Sequence, residues 1–280
     1  MIIPLIVAFI SAITLILQKY ILSTLKVNYK DFNIFVFIFL FIITSFLFPK
    51  FGWIKPEAAT HFYIIIGILM VIAAALWNIL LSQALQKEKL IEFELIQMLQ
   101  PLFTIFLGSL IFTSERSIYI LPAAIVAAVA LIIAHIKRHH IMFDKYAKYL
   151  LLAVVLMAVE MIFIKILLSV YSPVALYAIR TLLVAVAMWG ILRPSFITIN
   201  FHKGLIIIAT ATLAVIQMVL YYYAVNNEGL IFTTMILILT PVLIYLYSIF
   251  ISKEKLTFKT GLSFVIIILC ILFASIMGNK

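Results

Sequence analysis

His61–Gln86 reads HFYIIIGILMVIAAALWNILLSQALQ, and this stretch decides the fold. A soluble helix places polar residues on one face every third or fourth position. Here the run is apolar on all sides until Trp77, Asn78 and Ser82 near its end. At 1.5 Å per residue, about 20 helical residues cross a hydrocarbon core about 30 Å thick. The stretch therefore reads as a membrane-spanning helix.

The same texture extends outward in both directions. Of the 280 residues, 67% are hydrophobic and 11% charged, against about 45–50% and about 25% in a soluble domain. Spans are predicted at 2–25, 32–48, 61–86, 90–112, 118–136, 147–171, 173–192, 203–225, 228–251 and 257–277. The expected fold is thus an all-α integral membrane protein with ten transmembrane helices in a lipid bilayer. Met1-Ile2-Ile3-Pro4 is apolar at once, without the basic segment of a signal peptide, so the first run is expected to be retained.

The formal net charge is +10, yet the Lys and Arg residues sit almost entirely in short connectors. That placement fits membrane anchoring rather than a nucleic-acid groove. Connectors on one side carry Lys26, Lys30, Lys87, Lys89, Lys137, Arg138, Lys145, Lys148, Arg193, Lys203, Lys253, Lys255 and Lys259. The other side has Lys50, Lys55, Arg116 and Lys280. By the positive-inside rule both termini lie outside. Cys270 is the single cysteine and falls within the last apolar run, so no intrachain disulfide or cysteine metal site is expected. Walker A, His-Glu-x-x-His and Gly-x-Ser-x-Gly sequences are absent, which leaves ATP, peptide and ester hydrolysis without their usual residues. No cofactor is expected, and monomer and homodimer both fit the pattern.

The basic stretch Lys137 to Lys148 divides the chain near its middle. Sliding the chain along itself by 140 residues superposes Ala84 on Ala224, Glu88 on Glu228 and Pro101 on Pro241. These matches keep register across a span start and a mid-span proline. They point to a duplication, 1–140 and 141–280, each of five spans. An odd number of spans inverts the second repeat relative to the first, the architecture of many secondary transporters with a midplane site between the halves.

Pro101 and Pro241 each remove a backbone hydrogen bond inside a span and are candidate hinges. Glu94, Gln97, Pro101, Thr104 and Gly108 fall on one face of span four, and Thr234, Pro241, Tyr245 and Ser248 make the equivalent stripe in span nine. Trp77, Asn78, Gln97, Gln100, Gln217, Tyr221, Tyr222 and Asn226 are candidate substrate contacts, since aromatic rings with convergent amides suit an amphipathic solute. Interhelical hydrogen bonding explains such residues as well. Glu160 lies near the centre of span six, where a carboxylate costs several kcal/mol unless neutralised or paired. It is a candidate proton-coupling group or counter-charge to a cation; a structural, protonated or Lys-paired glutamate is the plainer account. Lys19 and Lys165 occupy similar places near the ends of spans one and six, and either anchors an anionic group or snorkels to the interface. His135, His139 and His140 sit at a basic connector with Asp144 as the only nearby acid, too poor a set for a metal site.

These residues resemble the EamA family of the drug/metabolite transporter superfamily. In that family each half ends its fourth span with a glutamate, a short polar turn and a glycine opening the fifth. Ser252-Lys253-Glu254-Lys255-Leu256-Thr257 with Gly261 fits in the second half. Ser114-Glu115-Arg116-Ser117 fits in the first, with Pro122 in the glycine's place. Pro101 and Pro241 match the family's prolines, and Lys165, Ser172-Pro173 and Arg180 match the opening of its second half. The first half keeps Lys19 but has no arginine in span two. The resemblance implies gradient-driven or facilitated movement, often export, of amino acids, amphipathic metabolites or drugs across the cell's inner membrane, with cytoplasmic termini. Competing readings are an intramembrane lipid-modifying enzyme using Glu160 and the histidine cluster, and a non-transporting membrane subunit.

Overall fold

The computed structural model describes residues 2–87, 96–97, 99–135, 145–195, 199–240, 242–244 and 258–277. Ten α-helices run through these residues. They are α1 (Ile2–Lys19), α2 (Tyr29–Phe51), α3 (His61–Lys87), α4 (Leu99–Ile111), α5 (Ile120–His135), α6 (Lys145–Leu167), α7 (Pro173–Leu192), α8 (Phe201–Glu228), α9 (Leu230–Leu237) and α10 (Phe258–Met277). Each overlaps one predicted span.

Six segments are long and apolar enough to cross a membrane: Ile2–Thr24, Tyr29–Phe51, His61–Gln86, Lys148–Leu167, Pro173–Leu192 and Phe201–Glu228. The helices of predicted spans four, five, nine and ten contain shorter apolar runs among the described residues. Spans four and nine extend into residues outside that set. The protein is a multi-pass helical membrane protein.

Helix is the form a chain takes in hydrocarbon because it satisfies every backbone group internally. Packing then follows side-chain size. Alanines concentrate where helices meet, with Ala74, Ala84, Ala124, Ala127, Ala153, Ala158, Ala211 and Ala224 buried, letting backbones approach closely. Large apolar groups such as Phe46, Val186, Phe201 and Ile276 stand outward, as lipid-facing side chains do.

Neighbours in space come mainly from opposite halves of the sequence. α3 packs on α6, α1 on α8, α2 on α7, α4 on α9 and α5 on α10. One buried cluster joins α1–α3 to α6–α8; a second joins α4 and α5 to α9 and α10.

Connectors are tied across the halves as well. Between α2 and α3, Ile54 bridges Tyr171, Lys55 N donates to Val170 O at 2.9 Å and Ser172 N donates to Trp53 O at 3.0 Å. Ser172 Oγ also accepts from Ala175 N at 3.1 Å, capping α7. At the opposite end, Ser195 N donates to Asp31 Oδ1 at 3.0 Å.

Two of the predicted boundaries move for a visible local reason. Span six ends at Leu167, because Leu168–Val170 form turns and Tyr171 enters the bridge. Glu228 closes α8 rather than opening span nine. Gly229 separates α8 from α9 at φ +90° and ψ 159°, a conformation essentially confined to glycine.

Candidate functional site

Glu160 is fully buried, and its charged partner is an arginine rather than a lysine. Arg180 Nε donates to Glu160 Oε1 at 2.5 Å and Arg180 Nη2 donates to Oε2 at 3.1 Å. The bidentate fork is the strongest geometry available to this pair. Trp77 Nε1 adds a third bond, to Oε2 at 2.5 Å. The guanidinium lies 6.0 Å from the ring centroids of Phe37 and Tyr177. Tyr222 stacks edge-on against Tyr177 at 5.7 Å, and its buried hydroxyl has no partner among the described residues. Sequence reasoning placed Arg180 in span seven but did not pair it with Glu160.

Lys165 points elsewhere from the same helix. Its Nζ donates to Val225 O at 2.8 Å and pairs with Glu115 Oε1 at 3.1 Å. The other carboxylate oxygen, Glu115 Oε2, accepts from Ile231 N at 3.0 Å. The α4–α5 connector thereby caps α9, with the negative charge at the favourable end of the helix dipole. Lys19 makes the matching contact in the first half, where its Nζ donates to Leu85 O at 2.7 Å. Leu85 and Val225 are themselves one 140-residue offset apart.

The bundle also holds a cavity of about 170 Å³. It is lined by Val7, Ser11 and Leu15 of α1, Gln97, Gln100 and Pro101 around α4, Met157 and Met161 of α6, and Gln217, Met218 and Tyr221 of α8. Leu237, Thr240 and Ile244 close it from α9 and the residues beyond. Both halves of the chain contribute.

The candidate contacts separate into two groups. Gln97, Gln100, Gln217 and Tyr221 converge on the cavity together with Pro101. Trp77 is engaged by Glu160 and Tyr222 packs on Tyr177. Asn78 Nδ2 donates to Ala74 O at 2.8 Å. Asn78 also joins a polar knot in which Ser82 Oγ bonds Asn33 Oδ1 at 3.1 Å and Asn78 O at 2.7 Å. Asn226 is exposed near the end of α8. The candidate contacts were drawn from spans three, four and eight; α1 and α6, not span three, line the cavity beside α4, α8 and α9. Ser11, Met157 and Met161 were not foreseen, because a single serine and two methionines in apolar helices carry no distinguishing spacing. Pro241, Glu94, Tyr245, Ser248, His139 and His140 lie outside the described residues, and His135 ends α5.

The fold and cavity define a class: a helical membrane protein enclosing a solute-sized space between two parts of its chain. Residues 145–276 match the family model described as EamA-like transporter family. The resemblance to the EamA family therefore holds over the second half of the chain, and it points to a transporter of the drug/metabolite type. A solved crystal structure of a protein superposes with a TM-score of 0.74 at 12% identity, covering 99% of this chain and 98% of the other. At that identity the likeness is one of fold. No curated protein matches the chain.

Proposed function

We propose that this protein is a secondary transporter that exports small metabolites, amino acids or amphipathic drugs across the cell's inner membrane by alternating access. The observation that carries the reading is the cavity, since its lining comes from α1 and α4 on one side and from α6, α8 and α9 on the other. Two inverted repeats, 1–140 and 141–280, account for the pairing of Lys19 with Leu85 O and of Lys165 with Val225 O. A space shared by two inverted units opens to alternate faces as one unit rocks against the other. Pro101, at the cavity wall, and Pro241 are the proposed hinges. The enzyme reading loses its acid, because Glu160 is already held by Arg180 and Trp77.

Reconstituted proteoliposomes test the reading. Folded protein is expected to speed counterflow of at least one class of solute over protein-free vesicles. In a Cys270→Ser background, a cysteine introduced at Thr240 is expected to react with membrane-impermeant thiol reagents added from either face. Labelling from neither face, with no flux of any solute, would remove transport as the function.

A further inference from the structure

The cavity has two chemically distinct walls. Gln97 and Gln100 stand on the α4 side, and Gln217 and Tyr221 on the α8 side; Met157 and Met161 of α6 supply a thioether surface. Gln100 commits its amide donor to Thr104 Oγ1 at 3.3 Å. Gln97 and Gln217 make no hydrogen bond to any described residue. Both side chains are half-buried at the cavity wall, where a solute entering the cavity can meet their amides. Each amide presents a donor and an acceptor side by side, the edge that pairs in bidentate fashion with another amide or with a nucleobase. No charged side chain is among the described lining residues: Glu160 is held by Arg180 and Lys165 by Glu115. At about 10–15 Å³ per water-sized occupant, 170 Å³ admits a solute of about a dozen non-hydrogen atoms.

We infer that the transported solute is uncharged and carries a paired donor–acceptor edge, such as a primary amide, lactam or nucleobase, read by Gln97 and Gln217 while its apolar body lies on Met157 and Met161. The inference rests on the transport reading and narrows its substrate class.

The test uses the purified full chain and the same chain in proteoliposomes. Nicotinamide and adenine present the edge. Nicotinate replaces it with a charge, 3-acetylpyridine removes the donor, and benzylamine is a cation of similar size. Nicotinamide or adenine is expected to raise the melting temperature and to be taken up. Nicotinate, 3-acetylpyridine and benzylamine are expected to bind at least about tenfold more weakly. Gln97→Leu and Gln217→Met, both apolar replacements of similar volume, are expected to weaken nicotinamide or adenine binding about tenfold each with little change in unliganded melting temperature. Wild-type affinity in both variants would overturn the assignment. Preference for nicotinate or benzylamine, or flux of other solutes alone, would overturn it while leaving the transport reading in place. A folded protein that binds and moves no solute of any class overturns both.

Discussion

Glu160 and Lys165 sit five residues apart on α6, and the two charges are handled in opposite ways. Glu160 is sealed at mid-helix, with Arg180 from the next helix and Trp77 from the first half closing around it. Lys165 is near the helix end, partly exposed, and reaches across to Glu115 of the first half. In the low-dielectric interior a charge must be neutralised completely, and the planar fork of arginine does so. Near the helix end the pair is only partly buried, and its value lies in tying connectors together. Neither charge lines the cavity, whose described polar lining includes the amides of Gln97, Gln100 and Gln217 instead.

That contrast can be broken most forcefully at the buried pair. Arg180→Leu leaves Glu160 without its counter-charge and is expected to lower stability by about 3–5 kcal/mol, read as thermal unfolding in detergent. The double change Glu160→Leu with Arg180→Leu should recover most of that loss. Glu160→Gln should destabilise through the same mechanism, and an unchanged pH profile of uptake in that variant would exclude a proton-coupling role. Trp77→Phe removes one hydrogen bond to a charged acceptor, for an expected cost of about 1.5–3 kcal/mol in the same assay.

Smaller effects are expected at the helix end. Gly229→Ala forces a side chain into a backbone conformation at φ +90°, with its Cβ 3.1 Å from the Glu115 carboxylate. An expected loss of about 1–3 kcal/mol follows, accompanied by faster hydrogen exchange at the start of α9. Lys165→Met should cost no more than about 1 kcal/mol. If it instead destabilised as severely as Arg180→Leu, the distinction between sealed and screened pairs would fail.

Much of the fold was legible because run length is a strong signal in a chain with so little polar residue to confuse it. Facing was not. α3 and α6 are apolar nearly all round, so sequence spacing could not say that Trp77 turns to Glu160 while Gln217, its counterpart at the 140-residue offset, turns to the cavity. Glu160 could be singled out as costly, but naming Arg180 as its partner requires the rotational phase of two packed helices. Glu115 was visible as a glutamate ending span four. Its capping of α9 depends on a contact 116 residues away in sequence, and no local pattern encodes that contact. Gln97, Gln100, Gln217 and Tyr221 were legible because polar groups at lipid depth are few enough to count as candidates.

The pairing of helices across the midpoint bears on how such a chain is made. Since α1, α2 and α3 find their principal partners in α8, α7 and α6, the ribosome releases half of the molecule before its main contacts exist. The early helices must wait in the bilayer, each stable as a lone span, for the later ones to be inserted.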